Sequence, residues 1–458
     1  SAILSASDRE IDRAEVRTGF RTVSVGDGAL LLNGEPVFLT GFNRHEDSPK
    51  TGMVFDYDCT RKDLERMKST GANAIRLCHY PHEPLELDLC DELGLLAFCE
   101  IPLYFWNSET EGRETNEQRV ATAERQLRKM IHRDRNHPSV IIWSVSNETN
   151  EQHAEVAEAN RGLVKMAREL DSSRLCVHVS NHWRDHPNFA EDDLICVNAY
   201  PSIDWPLKGR EPGSDLNPSV SAWRDGLSRL ADRYPGKPVL VTEFGYCSLP
   251  GTYGNSFGED EHARVLEAEF AGIAETNNAC GALVWCWADH PWPGGRFLDG
   301  MLLSPFGVVS RSRQALEPLQ SASRMFRRKQ GMAAPGQPQW PAGTGVVLLR
   351  PTLNDIRHAP LPEGFELRAM TMDESEIWVD IQRDAEFLFP ISDTLFHDQF
   401  GDDPAAVSWR CFILRNEKGL GVGTISSWYS RNFRGEEWGR IHWVAIRPGY
   451  QGRGLANG

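Results

Sequence analysis

The sequence predicts a (β/α)8 barrel, an α/β fold in which eight parallel strands alternate with helices. Two observations predict it: eight short apolar runs without polar alternation fall between residues 37 and 285, and amphipathic helical patterns follow most of them. Such runs are typical of strands that are buried on both faces of a parallel sheet. A doubly wound open sheet is the alternative, but no glycine-rich phosphate loop follows the first run.

The predicted strands are rich in valine, isoleucine, leucine or cysteine. In chain order they are Val37–Thr40, Ala74–Cys78, Leu95–Cys99, Val140–Val145, Leu175–Val179, Leu194–Val197, Val239–Thr242 and Ala282–Trp285. The segments between them place apolar residues at helical spacing. The predicted helices are Thr60–Thr70, which stops at Gly71, Glu117–Arg133, Glu151–Leu170, Ala222–Tyr234, Glu261–Thr276 and Arg313–Arg327.

A segment dense in proline and glycine, residues 330–345, predicts a linker. The barrel domain is therefore predicted to span residues 27–329. Beyond the linker, residues 346–458 show strand and helix patterns and a hairpin around residues 416–420. They predict a second, smaller α+β domain.

Composition excludes several classes of protein. Of the 458 residues, 40% are apolar and 25% are charged, which is an ordinary globular balance. A net charge of −16 argues against nucleic-acid and anionic-lipid partners. The longest apolar run, about 281–288, is far shorter than the ~20 residues of a membrane span. No nucleic-acid or membrane partner is therefore expected. The sequence does not decide between a monomer and a homo-oligomer.

The ten cysteines are scattered, and none forms a Cys-x-x-Cys pair. Several lie in apolar runs, where a thiol behaves as a small buried hydrophobe. Reduced, structural cysteines are therefore favoured over disulfides or a metal site, which predicts a cytoplasmic location. The first ten residues contain no basic region followed by an apolar stretch, so no signal peptide is expected there.

Two glutamates stand at the ends of the fourth and seventh predicted strands. Glu148 closes the run Trp-Ser-Val-Ser-Asn-Glu, and Glu243 closes Val-Thr-Glu. Because the loops after barrel strands converge on one mouth, these carboxylates are expected to face each other. Two carboxylates about 5–5.5 Å apart serve a retaining glycosidase as nucleophile and as acid, then base. The alternative is that both are ordinary residues at helix starts, where a negative charge complements the helix dipole.

Several motifs resemble those of glycoside hydrolase family 2, the β-galactosidase and β-glucuronidase family. They are Gly41-Phe-Asn-Arg-His-Glu-Asp47, Arg76-Leu-Cys-His-Tyr-Pro81, Arg133-Asp-Arg-Asn-His-Pro-Ser-Val140 leading to Trp143-Ser-Val-Ser-Asn-Glu148, Val241-Thr-Glu-Phe-Gly245 and Trp285-Cys-Trp-Ala-Asp289. They follow the family order across residues 28–330. The resemblance implies an eight-fold barrel, retention of anomeric configuration, Glu148 as acid/base and Glu243 as nucleophile.

The same resemblance implies roles for three polar neighbours. Arg76 is expected to hold Glu243 ionised, because an adjacent cation lowers the pKa of a carboxylate. Tyr200 is expected to hydrogen-bond the nucleophile, and Asn147 to bind the sugar 2-hydroxyl. For Arg76 the alternative is a structural ion pair inside the barrel.

Three aromatic or imidazole side chains match family positions that line the sugar pocket. His45 and His79 are expected to contact the sugar, and Trp285 offers a flat apolar face to the sugar ring. The alternative for each is a structural role in the core.

Two departures from the family pattern bear on substrate and metal. The glucuronidase branch has an Asn-x-Lys-Gly stretch ahead of the last helix, where this chain has Ser304-Pro-Phe-Gly307 without a cation. An unpaired sugar carboxylate there would be costly, so a neutral, β-galactosidase-like substrate is expected. Large bacterial β-galactosidases place a magnesium-binding histidine soon after strand three, where this chain has Glu100-Ile-Pro-Leu-Tyr-Phe-Trp106. No metal and no cofactor are therefore expected for the hydrolase.

The principal alternatives are a β-glucuronidase, another family 2 specificity such as mannoside or arabinoside, and a non-catalytic carbohydrate-binding barrel. Residues 1–26 resemble the end of the immunoglobulin-like β-sandwich that precedes the barrel in this family. The rest of that sandwich does not appear in this sequence, so any site residues that it would donate are expected to be absent from it.

The end of the chain resembles motif A of the GNAT acetyltransferases. A strand-like segment from Trp443 leads into a loop with Gln451, Gly452, Arg453, Gly454 and Ala456. Backbone N–H groups of such a loop cradle the pyrophosphate of acetyl-CoA, which implies an acetyl-CoA-dependent N-acetyltransferase if the domain is complete. Because the following helix would supply several of those donors, the 458-residue form is expected to bind acetyl-CoA weakly or not at all.

Overall fold

Eight parallel strands close into a barrel in the computed structural model of the chain. The structure describes residues 2–6, 9–14, 18–106, 115–185, 188–203, 210–291, 303–332, 361–385, 391–400, 403–433, 436–450 and 455. The chain divides into two compact units, Ser1–Thr344 and Gly345–Gly458. The predicted linker lies almost wholly outside the described residues, and the domain boundaries stay predictions.

Short antiparallel sheets precede the barrel. The strands are β1 (Ala2–Ala6), paired with β2 (Arg9–Ala14), and β3 (Val23–Gly26), β4 (Ala29–Leu32) and β5 (Glu35–Pro36), which form a three-stranded sheet. Leu30 of β4 is buried in the same apolar cluster as Leu39 and Ile141 of the barrel interior. The three-stranded sheet therefore contributes to the core at the start of the barrel strands.

The barrel strands pair in chain order, and the last pairs with the first. They are β6 (Leu39–Arg44), β7 (Ala74–Leu77), β8 (Leu96–Glu100), β9 (Val140–Asn147), β10 (Leu175–Ser180), β11 (Ile195–Asn198), β12 (Val239–Phe244) and β13 (Ala279–Val284). Their side chains are almost all buried, as expected for a parallel sheet covered on both faces. The predicted barrel is confirmed.

The first barrel strand differs from the prediction, Val37–Thr40, in its position. The N–H of Val37 donates to the carbonyl of Leu30, so Val37 extends the small sheet rather than the barrel. The barrel strand continues instead to Arg44, whose guanidinium is buried between Asp63 and Glu86. These ion pairs allow a cation to end a buried strand, which a search for apolar runs does not detect.

Helices cover the outside of the barrel. They are α1 (Tyr57–Ser69), α2 (Pro84–Leu93), α3 (Asn116–Asp134), α4 (Ala154–Leu170), α5 (Asn217–Arg233), α6 (Glu259–Ala274) and α7 (Glu317–Lys329). Apolar residues on their inner sides join the strands in one large core cluster. Among the residues that the structure describes, none of the helices has both the length and the apolar character of a membrane span.

Three helices depart clearly from the predictions, and one of them, α5, begins at Asn217 rather than at Ala222. The helix α2 was not predicted, although Pro84 begins it and Gly94, at φ 67°, caps its end. The last helix was predicted to begin at Arg313, but it begins at Glu317. Arg313 instead sits at φ 67° in a turn where Val309 bridges to Ala315, and its side chain donates to Asp63.

The second unit is built on a four-stranded antiparallel sheet. Its strands are β16 (Phe365–Ala369), β17 (Cys411–Asn416), β18 (Gly421–Phe433) and β19 (Glu436–Ile446), and its helices are α8 (Ser375–Ala385), α9 (Leu395–Phe400) and α10 (Pro404–Arg410). Trp378, Ile381 and Phe396 form its core with residues of β17. A short pair, β14 (His290–Pro291) and β15 (Leu303–Ser304), belongs to the first unit.

Candidate active site

The carboxyl ends of the barrel strands bring all eight predicted pocket residues of the first unit together. Glu243 lies within β12, and Glu148 directly follows β9. The backbone of Glu148 adopts φ 50°, the left-handed region that non-glycine residues rarely occupy, and its N–H donates to the carbonyl of Val179. Strained backbone of this kind is concentrated at functional sites.

Glu243 is buried and accepts two short hydrogen bonds. Arg76 Nη1 donates to its Oε1 at 2.6 Å, and the hydroxyl of Tyr200 donates to its Oε2 at 2.6 Å. Both contacts were predicted. A charged donor and a hydroxyl donor thus hold the two carboxylate oxygens in place.

Arg76 is fully buried and joins the two sides of the site. Besides Glu243, its guanidinium donates to Glu100 at 2.9 Å, to Asn147 Oδ1 at 2.7 Å and to Asn43 Oδ1 at 2.9 Å. Burial disfavours its charge, but Glu100 and Glu243 outweigh burial and raise the pKa of Arg76 above its ordinary value. The arginine therefore stays a cation that orients Glu243.

Glu148 is held by two asparagine amides. Asn198 Nδ2 donates to its Oε1 at 2.8 Å, and Asn181 Nδ2 donates to its Oε2 at 2.9 Å. Burial and, second, the negative charge of Glu243 raise the pKa of Glu148 to about 8, while the bond from Asn198 lowers it. Glu148 is therefore protonated at neutral pH, as a general acid must be.

Asn147 and Asn198 connect the two carboxylates. Asn147 Oδ1 accepts hydrogen bonds from Arg76 and from Asn198, and Asn198 Oδ1 accepts one from Thr242. Each amide is thereby fixed in orientation. Among the described residues, no hydrogen bond engages the Nδ2 group of Asn147, which the predicted contact with a sugar hydroxyl would use.

His45, His79 and Trp285 form one wall of the pocket. The rings of His79 and Trp285 stack at 5.3 Å, and the ring of His45 lies edge-on to both at 5.5 Å. Burial, followed by the neighbouring His290, lowers the pKa of His45 well below its ordinary value, so this imidazole is neutral. The wall combines a flat apolar face with ring nitrogens that can contact hydroxyl groups.

Four further residues of the site were not among the predicted site residues. Glu100, Asn181, Asn198 and His290 each touch a predicted residue. Glu100 and Asn198 end barrel strands, so a search for polar residues at strand ends could have found them. Asn181 directly follows β10, so the same search could have found it, whereas His290 lies in β14, well beyond the end of β13.

The predicted acetyl-CoA loop, Gln451, Gly452, Arg453, Gly454 and Ala456, lies outside the described residues. As for metal, the described residues contain two groups of three side chains that could ligate an ion, and neither includes Glu148. All ten cysteines are free thiols, and nine of them are buried.

Comparisons with known proteins agree with this geometry. Residues 23–290 match the family described as glycosyl hydrolases family 2, TIM barrel domain. Over 295 residues the chain is 29% identical to a β-glucuronidase of Streptococcus agalactiae, covering 61% of this chain and 48% of that protein. Over 288 residues it is 32% identical to a β-galactosidase of Enterobacter cloacae, covering 61% of this chain and 24% of that protein.

The chain also resembles solved glycosidase structures. The β-glucuronidase of Ruminococcus gnavus aligns with a TM-score of 0.64 at 26% identity, covering 71% of this chain and 56% of that one. The chain spans about half the length of the first curated relatives that it matches. Because the family match covers more than half of the chain, the protein belongs to glycosyl hydrolases family 2, and its barrel is the TIM barrel domain of that family.

Proposed function

We propose that the protein is a retaining β-glycosidase that hydrolyses a neutral β-glycoside by double displacement. The observation that carries the proposal is the pairing of two carboxylates in different surroundings. Glu243 accepts hydrogen bonds from Arg76 and Tyr200, whereas burial and, second, the charge of Glu243 raise the pKa of Glu148 to about 8. Different environments of this kind distinguish a nucleophile from a general acid.

In the first step, an oxygen of Glu243 attacks the anomeric carbon while Glu148 gives its proton to the departing glycosidic oxygen. The C–O bond to the leaving group breaks as the glycosyl–Glu243 ester forms. In the second step, Glu148, now ionised, takes a proton from water, and the water oxygen displaces Glu243 from the sugar. Two inversions give net retention, and Glu148 ends protonated again.

The residues around the pair support the oxocarbenium-like transition state. Asn147, oriented by Arg76 and Asn198, would bind the sugar 2-hydroxyl, a contact that strengthens as charge develops. His45, His79 and Trp285 would hold the opposite side of the ring.

A neutral sugar is proposed because residues 304–307, the segment that would meet a sugar carboxylate, contain no lysine or arginine. Phe306 in that segment is buried, and its ring lies edge-on to Tyr200 at 5.8 Å. An apolar ring at this place leaves a carboxylate unpaired. Because some relatives are named β-glucuronidase, β-glucuronides are the second candidate substrates.

A panel of aryl β-glycosides tests the proposal. It comprises the galactoside, glucoside, mannoside, fucoside, arabinoside and glucuronide, each assayed with the wild type and with Glu243→Gln. We expect one neutral glycoside to be cleaved fastest and Glu243→Gln to lower the rate by several orders of magnitude, because the nucleophilic charge is lost while shape is kept.

The outcomes separate the alternatives. Preference for the glucuronide would overturn the neutral specificity, and a mannoside or arabinoside preference would change the sugar while keeping the mechanism. Release of no chromophore from any substrate by the folded wild type would favour a carbohydrate-binding barrel. Near-wild-type activity of Glu243→Gln would assign the nucleophile elsewhere.

For the second unit we propose relationship to the GNAT acetyltransferases, with acetyl-CoA as the cofactor of a complete domain. Its support is the antiparallel sheet β16–β19 with flanking helices and the loop motif of residues 451–456. Calorimetry with acetyl-CoA measures the affinity of the 458-residue form. Weak or no binding is expected, and micromolar binding near one to one would overturn that expectation. A cytoplasmic location is likewise proposed, from the free thiols.

A further inference from the structure

Two imidazoles and a thiol meet beside the nucleophile. His45 follows β6, and Cys78 and His79 follow β7, so two neighbouring strand ends supply the group. One nitrogen of each ring and the Sγ atom of Cys78 lie within 4.8 Å of one another. Ligands of a tetrahedral zinc ion lie about 2.0–2.3 Å from the metal and hence about 3.4–3.6 Å apart, so side-chain shifts of about 1 Å would complete the set.

The hydrogen bonds of both histidines leave their Nε2 atoms available as ligands. Nδ1 of His79 is bonded to Oε1 of Glu100 at 2.8 Å, and Nδ1 of His45 to the hydroxyl of Tyr80 at 3.2 Å. Histidines that bind metals usually have the other ring nitrogen bonded in this way, which fixes the tautomer and the ring orientation. Both rings are thus oriented before any ion arrives.

The donor types select the class of ion. Two imidazoles and a thiolate suit Zn²⁺ and other thiophilic divalent cations, whereas Mg²⁺ and Ca²⁺ prefer oxygen ligands. The Cys78 thiol donates a weak hydrogen bond to the carbonyl of Arg44 at 3.3 Å. When zinc binds, one Zn–S and two Zn–N bonds form, and the thiol proton leaves to solvent. No redox change is involved.

We propose that His45, Cys78 and His79 form a zinc site that inhibits the enzyme reversibly. Oε1 of Glu243 lies 4.0 Å from Nε2 of His79, so the bound cation would neutralise or ligate the nucleophile. It would also engage the imidazoles of His45 and His79, which the proposed function assigns to the sugar. The inhibition rests on the proposed function, but the binding of zinc does not.

Cobalt provides a direct measure of binding, because a Co²⁺–thiolate bond gives a near-ultraviolet charge-transfer band. The full chain is titrated with CoCl₂, and then ZnCl₂ displaces the cobalt. Cys78→Ser keeps a donor for the Arg44 carbonyl but removes the thiolate. Cys286→Ser is the matched control, because Cys286 is also buried near this wall, 3.8 Å from Nδ1 of His290.

We expect the wild type and Cys286→Ser to show the thiolate band at one cobalt per chain, and Cys78→Ser to lack it and bind zinc about 100-fold more weakly. His137→Gln, which removes the other candidate ligand group with Asp88 and Asp91, should bind like the wild type. Zinc should inhibit competitively with the aryl glycoside. An unchanged band in Cys78→Ser, its loss in Cys286→Ser or noncompetitive inhibition would overturn the proposal. If no glycoside is cleaved, the cobalt band still decides whether the site binds metal.

Discussion

In the proposed mechanism, single residues decide which carboxylate attacks and which one donates a proton. Arg76 and Tyr200 bond to Glu243, while the side-chain donors to Glu148 among the described residues are the neutral amides of Asn181 and Asn198. The charged donor is thus given to one carboxylate alone. Because that asymmetry is built from buried side chains, the two roles cannot be exchanged without rebuilding several strand ends.

Removing the acid should affect the two chemical steps differently. In Glu148→Ala, aryl glycosides with good leaving groups need little acid assistance, so their first step should persist while the second becomes limiting. Azide, which needs no base, should then restore turnover and give a glycosyl azide of retained configuration. Product analysis by NMR measures this. Failure of azide to give that product would contradict the role of Glu148.

The alkaline side of the pH–rate profile should report Glu148. Its pKa of about 8 predicts that activity falls as pH rises through that value, because the acid loses its proton. The bond from Asn198 lowers this pKa, so Asn198→Ala should move the alkaline limb to higher pH. Asn160→Ala removes a buried amide that bonds Ser146 and Thr149 instead, and should leave the limb in place. An alkaline limb that Asn198→Ala does not move would assign it to another group.

The sequence predicted the two hydrogen-bond partners of Glu243, Arg76 and Tyr200, but not the asparagine amides that bond to Glu148. Arg76 and Tyr200 lie in motifs that resemble the family, so their roles came with the resemblance. Asn181 directly follows β10, the strand paired with β9, but it belongs to none of the motifs that resemble the family. Contacts between side chains at neighbouring strand ends depend on barrel register, which the sequence pattern does not specify.

At the scale of elements, buried polar groups explain where the predictions departed from the structure. The strand β6 runs on to Arg44 because Asp63 and Glu86 neutralise its charge. A pattern of apolar residues ends at Thr40 and cannot include that stretch. The helix α2 was missed for a related reason, since a fully buried glutamate, Glu86, occupies its inner side.

A second buried glutamate, Glu269, couples α5 and α6 to the loop after β11. Ser202 Oγ donates to its Oε1 at 2.5 Å and Trp223 Nε1 to its Oε2 at 3.0 Å. Burial raises the pKa of Glu269 to about 7 from an ordinary value of 4.5. The folded state therefore holds this proton more tightly, and the resulting stability is full below about pH 4.5 and lost as pH rises through about 7.

Glu269→Gln should remove this dependence, because the amide keeps an acceptor for Trp223 without a charge. Relative to the wild type, the variant should gain up to about 3 kcal/mol in free energy of unfolding between pH 4.5 and pH 8, from 1.36 kcal/mol per pKa unit. Urea unfolding at both pH values measures it. Glu267→Gln, on the exposed side of the same helix, should change by less than about 1 kcal/mol. An equal pH response of the two variants would contradict the buried charge.

At the scale of the whole molecule, the barrel could be predicted because its signal is repeated. Eight apolar runs of strand length, separated by helical patterns, predict eight parallel strands, and this number of strands closes into a barrel. The second unit has no comparable repetition, and the prediction of an acetyl-CoA loop in it depends on one short glycine pattern. The sequence is therefore more informative about the hydrolase than about the smaller unit.

The glycosidase chemistry should be confined to the first unit. Every residue of the proposed site lies within Ser1–Thr344, and the barrel closes there by pairing β13 with β6. A chain ending at residue 344 should therefore keep kcat/KM on the best aryl glycoside within about twofold of the full chain. Circular dichroism on both forms controls for folding. A folded 1–344 protein with activity reduced tenfold or more would contradict the prediction that the first unit is sufficient for glycosidase activity.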